Sequence, residues 1–258
     1  MNVFNSYFKI SGLEPDSRWV YAFGGKFLEM SGEQSFHAKM NATKKDLVDS
    51  EFVLRLLRRM NIGSSEVFLT QQTHGDKVYF LTDDFVSSSE VSKIKADAIV
   101  TGIREKPIVV LTADCVPVIL FDTKRNVVGI VHAGRRGTAL RILSKTIRRM
   151  KDFYEGNSNN LWVGIGPAIG PCCYKVGGEC EKEFQDNPED WRRSTQASGD
   201  GKFFLDLIEV NRQQALQEGV SEENIFVSGQ CTACENGLFY SYRKESTCGR
   251  NVSLVMLR

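Results

Sequence analysis

The chain has 258 residues, 41% of them hydrophobic, which is enough for a substantial core and still within the size one core serves, so a single domain spanning 1–258 is expected. Lys plus Arg number 33 against 32 Asp plus Glu, and a net charge of +1 provides no overall field for nucleic acid or an anionic membrane, so any anion site must be local. The stretch MNVFNSYFKISGLEPDSRW has neither the basic start nor the apolar run of a signal peptide, and no segment approaches the roughly 18 apolar residues of a membrane span; a cytoplasmic protein is expected.

In chain order, Val3 to Ile10 and Arg18 to Ala22 alternate as strands before a turn at Gly24-Gly25. Lys44 to Met60 puts Leu47, Val48, Phe52, Leu56 and Leu57 on one face, a helical period stopped by Asn61 and Gly63. The middle of the chain is rich in strand signals: EVFLTQ, KVYFLT, ADAIVTG, PIVVLTA, VPVILFD and VVGIVHA are short and β-branched, several apolar almost throughout, as suits strands covered on both faces. Thr138 to Tyr154 reads as an amphipathic helix and LWVGIG as a strand. After a Gly/Pro/Cys loop come a helix near Gly177 to Phe184, an exposed polar excursion from Asp186 to Lys202 and a helix from Asp206 to Glu218, and strands near NIFVSG, LFYSY and NVSLVML close the chain. The pattern predicts an α+β fold, mixed β-sheets sandwiched with flanking helices, rather than strict βαβ alternation.

Histidine is scarce, with only His37, His74 and His132, whereas the seven cysteines are an odd number in a chain that needs no disulfide staples. His74 in QTHG, Cys115 in ADC and His132 in VHAG each fall at a predicted strand end. The gaps from 74 to 115 and from 115 to 132 match no zinc finger, but two imidazoles and a thiolate would leave the fourth tetrahedral position of a zinc ion open, as catalytic sites do. Two other readings stand beside this one: ordinary buried or hydrogen-bonded residues, or Cys115 as a nucleophile with a histidine base. Asp114, next to the thiol, is a candidate to orient a ligand or to act as acid/base. Gly134-Arg135-Arg136-Gly137-Thr138 joins the His132 strand to a helix, and Arg136 with the helix N-terminus after Gly137 forms a candidate phosphate site. The loop 164–174 reads as a pocket wall, and its adjacent Cys172 and Cys173 are poor partners for each other. Cys231-Thr232-Ala233-Cys234 has the spacing of half a zinc ribbon or of a redox pair, but with no second CxxC and no thioredoxin-like context it is read as structural.

Taken in order, QTHG, ADAIVTG, LTADCVPVILFD, VGIVHAGRRG, VGIGPAIGPCCYKVGGE, FLDL, GQCT, FYSYRKE and GRNVSLVML resemble the laccase-domain family, first labelled multicopper polyphenol oxidases. That resemblance runs from about residue 66 to the C-terminus. It implies a mixed α+β sandwich and a metal, zinc or alternatively copper, on His74, Cys115 and His132. It also implies purine nucleoside phosphorylase with adenosine deaminase activity on adenosine, inosine, guanosine and methylthioadenosine, with phosphate as co-substrate. Asp114 and Cys115 are then the expected catalytic residues, and Arg136, Gly137, Tyr174 and Arg243 the expected phosphate and substrate contacts. Neither nucleic acid nor membrane is an expected partner, and the chain is expected as a monomer or small homo-oligomer.

The sequence departs from the family pattern twice, with HAGRRG for the usual HAGWRG and SFHAKMN where SLNLG is usual. The oxidase label conflicts with composition, because blue-copper and trinuclear centres together need on the order of ten histidines. An amide hydrolase acting on a cell-wall precursor, as in peptidoglycan editing factors, and a non-catalytic metal-binding protein are the rival readings.

Overall fold

The computed structural model describes residues 2–4, 7–13, 17–26, 51–64 and 66–258. Its strands in chain order are β1 (Asn2–Phe4), β2 (Tyr7–Lys9), β3 (Trp19–Gly24), β4 (Val78–Leu81), β5 (Ala98–Thr101), β6 (Ile108–Thr112), β7 (Val116–Asp122), β8 (Val127–Ala133), β9 (Leu161–Ile165), β10 (Lys175–Gly177), β11 (Thr195–Ala197), β12 (Lys202–Leu205), β13 (Ile225–Val227) and β14 (Asn251–Leu257). They form a five-stranded sheet ordered β1-β2-β3-β14-β6, a six-stranded sheet ordered β13-β9-β7-β8-β5-β4 and a small sheet ordered β10-β12-β11.

Alternation along the strands explains how the two larger sheets stack. In β3, Trp19, Tyr21 and Phe23 enter one core together with Ile119 and Phe121 of β7 and Val128 and Ile130 of β8, which places that core between the sheets. The intervening Val20 and Ala22 face Val53, Leu56 and Leu57 of helix α1 (Glu51–Arg59). On the far side of the six-stranded sheet, Val118, Leu120 and Val131 meet Ile142, Leu143 and Ile147 of a second helix and Val210 of a third. The layers therefore run helix, sheet, sheet, helices, an α+β sandwich. Central strands buried on both faces account for the nearly continuous apolar runs of β6, β7 and β8. Among the described residues, no helix is long and apolar enough to cross a membrane.

Several expectations need correction. Val3 to Ile10 is two short antiparallel strands. Helix α1 ends at Arg59, where Asn61 takes a left-handed φ of 53°, as expected, but residues 44–50 lie outside the described residues. EVFLTQ makes only isolated bridges, Phe68 to Ile108 and Gln71 to Lys95. The Gln72 side chain takes over the pairing, donating to Leu111 O at 2.8 Å and accepting from Leu111 N at 2.9 Å.

After α2 (Ser88–Val91), the predicted helix 138–154 is two helices, α3 (Arg135–Ala139) and α4 (Ile142–Tyr154), broken at Arg141 with φ of 61°. The Arg141 guanidinium pairs with buried Asp190 at 2.8 Å. Residues 178–184 are 3-10 rather than α-helical. The stretch from Asp186 to Lys202 is no exposed excursion: it folds as α5 (Pro188–Ser194) and β11, and buries Asp190, Trp191 and Ser194. Helix α6 (Leu207–Gln217) is capped by the Asp206 side chain, which accepts from Glu209 N at 3.0 Å. LFYSY is not a strand, because Asn251 accepts from Tyr240 N and donates to Tyr240 O through its side chain, both at 2.9 Å, before α7 (Tyr242–Glu245) begins.

The inter-sheet core tolerates no added volume at Gly166, where a Cβ would fall 2.2 Å from the ring of fully buried Phe23. We expect Gly166→Ala to destabilise the fold by roughly 1–3 kcal/mol in urea unfolding, with the baselines unchanged.

Candidate metal centre

Register builds the centre. Ala98 pairs with Val131 in the β5–β8 ladder, so the next step brings Asp97 opposite His132, and His132 N donates to Asp97 O at 2.7 Å. On the other side of β8, Val116 pairs with Ala133, so the next step brings Cys115 opposite Gly134. Three adjacent strands thus deliver a carboxylate, an imidazole and a thiol at one end of the sheet. The loop after residue 71 closes over that end and contributes His74.

Asp97 organises this arrangement. Its carboxylate, with no solvent exposure, accepts from the backbone N–H groups of Thr73, His74 and Gly75 at 2.9–3.1 Å, from Thr73 Oγ1 at 3.0 Å and from His132 Nδ1 at 2.8 Å. Burial opposes its ionisation, but the donors from His132, Gly75 and Thr73 prevail and hold it down to about 2. This bond fixes the His132 ring and turns Nε2 away from Asp97. By accepting from three consecutive N–H groups, the Asp97 carboxylate also holds His74 in left-handed backbone, with φ of 58°, a strained conformation for a residue with a side chain.

Ligand-type atoms of His74, Cys115 and His132 lie within 4.8 Å of one another, and the two rings meet edge to face with centroids 4.7 Å apart. His74 is exposed and His132 buried, so the cluster opens outward on one side. Gly134 is required there, since a Cβ would come 2.9 Å from the His74 ring and 3.0 Å from Cys115 Sγ. Burial opposes ionisation of Cys115, but His132 and His74 hold the thiol down to about 6. Burial likewise disfavours protonated His132, but Cys115 and Asp97 raise it to about 9. Thiol and imidazole thus favour each other's charged form, with the Asp97 carboxylate on the far side of the ring.

Asp114, with φ of 88°, turns its carboxylate away from the imidazoles to accept from Thr232 Oγ1 and Arg243 N, each at 2.7 Å, and its carbonyl accepts from Ile169 N at 2.9 Å. The carboxylate that meets a candidate ligand is that of Asp97, which is bonded to His132 Nδ1 and which sequence reasoning passed over; the signal was a single charge at the head of the apolar run ADAIVTG. Arg135, at the family's tryptophan position, forms a fork to Glu183 at 2.8 and 3.0 Å. Arg136 is exposed, and no partner for its guanidinium is found among the described residues.

Gly137 is not at a helix start. It lies inside the short α3, where a Cβ would meet Gly75 O at 2.8 Å, so its task is close packing. The Arg243 side chain donates to the carbonyls of Cys173 and Lys175 at 3.2 and 3.0 Å and lies over the Tyr174 ring at 5.0 Å, while Tyr174, its phenol pushed up by burial, stands between Arg135 and Arg243. His37 and the SFHAKMN segment lie outside the described residues.

A sandwich of this kind carrying a His/Cys cluster defines a member of the family described as multi-copper polyphenol oxidoreductase laccase. The model of that family matches residues 37–258, and the chain belongs to it. Purine nucleoside phosphorylase YfiH of Escherichia coli K12 is 34% identical over 203 residues, 79% of this chain and 78% of that one. Purine nucleoside phosphorylase YlmD of Geobacillus stearothermophilus is 37% identical over 149 residues, 55% of this chain and about half, 53%, of that relative's length. The crystal structure of YlmD from the same organism superposes with a TM-score of 0.83 at 25% identity, covering 100% of this chain and 98% of that one.

The donor set fits a single soft or borderline divalent ion, and with three histidines in the whole chain it does not fit a multicopper assembly. In Asp97→Asn, an amide NH2 would replace an acceptor and face N–H donors; we expect a loss of roughly 3 kcal/mol by urea unfolding. After chelation, alkylation of Cys115 followed on its own peptide by mass spectrometry should rise with pH through about 6, because the thiolate forms there; a rise near the ordinary thiol value would contradict the site electrostatics.

Proposed function

We propose that the protein is a zinc-dependent purine nucleoside phosphorylase in which adenosine deamination is a second reaction of the same centre. The observation that carries this reading is the convergence of His74, Cys115 and His132 around one point, with exposed Arg136, which has no partner among the described residues, on α3 just after His132, in a chain whose relatives are named purine nucleoside phosphorylases. Zinc, held by these three residues, would supply a Lewis acid there.

The remaining steps belong to the chain. Asp97 holds His132 with Nε2 as the available nitrogen and keeps the His74 loop closed. Arg136 binds phosphate, whose oxygen attacks C1′ of the nucleoside. The bond from C1′ to the purine nitrogen breaks, and its electron pair leaves with the base, which takes up the proton that the attacking hydrogen phosphate gives up, giving free base and ribose 1-phosphate. Tyr174, kept protonated by burial, offers the substrate a hydrogen-bond donor. Asp114, engaged by Thr232 and Arg243, positions the Cys115 turn rather than moving a proton.

Adenosine incubated with the protein and phosphate should yield adenine and ribose 1-phosphate, and without phosphate inosine should be the product. Release of an amino acid from a cell-wall peptide, with no turnover of nucleosides, would favour the amide-hydrolase rival instead. Arg136→Ala should raise the KM for phosphate about tenfold or more while leaving deamination near wild type; equal loss of both reactions would remove Arg136 from the phosphate site.

A further inference from the structure

Away from the imidazoles, two loops bring four thiols together. Cys172 and Cys173 lie in the turn that follows β9, and Cys231 and Cys234 lie in the turn that follows β13; their four sulfur atoms all fall within 4.8 Å of one another. Sγ of Cys234 lies 3.5 Å from that of Cys172 and 3.4 Å from that of Cys173, and all seven cysteines of the chain are free thiols. A zinc ion bound by four thiolates at about 2.3 Å sets tetrahedral edges of about 3.8 Å, close to these separations.

Sequence spacing alone offers half a zinc ribbon at 231–234. The fold supplies the other half as an adjacent pair, which no spacing rule for paired CxxC motifs would find.

The surroundings are built for the cluster. Gly170 N and Cys234 N both point their hydrogens at Cys231 Sγ, at 3.3 and 3.4 Å, the kind of backbone donation that steadies a metal-bound thiolate. A Cβ on Gly170 would approach Cys172 Sγ at 3.3 Å and Cys231 Cβ at 3.4 Å, so glycine lets the two turns close. Each turn is fixed before the sulfurs meet: Cys173 N and Tyr174 N donate to Gly170 O at 3.0 Å, Glu235 N donates to Cys231 O at 2.9 Å, and Ala168 and Cys231 form a parallel bridge.

We propose that Cys172, Cys173, Cys231 and Cys234 form a second, structural zinc site, closed by four protein ligands. It joins two irregular loops that are hydrogen-bonded to Asp114, the neighbour of Cys115, directly or through Arg243. Thr232, inside the CxxC, holds the Asp114 carboxylate, and the carbonyl of Cys173 holds Arg243, whose N–H holds the other Asp114 oxygen. The second ion therefore fixes the turn that presents Cys115, without taking part in the reaction.

The test is metal content of untagged protein, purified under reducing conditions from zinc-supplemented cells. Wild type should carry two zinc ions per chain. His74→Ala/Cys115→Ala should retain one, and adding Cys172→Ser/Cys234→Ser should leave none. Cobalt bound to His74→Ala/Cys115→Ala should show the intense charge-transfer and visible bands of a tetrahedral thiolate site, and chelation of that variant should lower its melting temperature.

A metal-free but folded His74→Ala/Cys115→Ala, a weak octahedral cobalt spectrum, iron in place of zinc, or an unchanged melting temperature would each overturn the proposal. Should wild type hold a single zinc that is lost in Cys172→Ser/Cys234→Ser, the thiol site would stand and the first centre would fall, so the two proposals fail separately.

Discussion

The buried carboxylate of Asp97 is the constraint on which the centre rests. An ionised carboxylate with no exposure costs several kcal/mol unless it is fully hydrogen-bonded, and it is satisfied here only when the 73–75 loop and the His132 ring are both in place. One buried charge therefore couples a loop, a strand end and a ring orientation into a unit that forms together. The strained backbone of His74 persists because three consecutive N–H groups are committed to that charge.

Around this unit the sheet supplies rigidity and glycine supplies room. β7, β8 and β5 are neighbours in one sheet and buried on both faces, so their register fixes Cys115, His132 and Asp97 relative to one another with little freedom. Gly134 and Gly137 then let the 74–75 loop approach to within van der Waals contact of the strand end and of α3. Arg135 extends the same logic outward, since its fork to Glu183 ties the start of α3 to the 3-10 segment 178–184.

Much of this was legible in the sequence, because strand alternation and apolar runs record which faces are covered. Trp19, Tyr21 and Phe23 against Val20 and Ala22 show the two faces of β3, and VPVILFD and VVGIVHA announce central strands. His74 and His132 stand out by scarcity, and Cys115 with them by its place at a strand end. What periodicity does not record is pairing between distant side chains. The split at Arg141 depends on Asp190, the loss of the 66–71 ladder on Gln72, the loss of a strand at 238–242 on Asn251, and the bond of Asp97 to His132 on a register known only after folding. The meeting of Cys172 and Cys173 with Cys231 and Cys234 belongs to the same class.

The most direct test of the account is anomalous diffraction at the zinc edge from crystals of the zinc-loaded protein. The account requires a peak shared by Cys115 Sγ at about 2.3 Å and by a ring nitrogen of each of His74 and His132 at about 2.0–2.1 Å, with the His132 Nδ1 bond to Asp97 intact. A map with no density at that point, or with the ion bound by fewer than these three side chains, would contradict it.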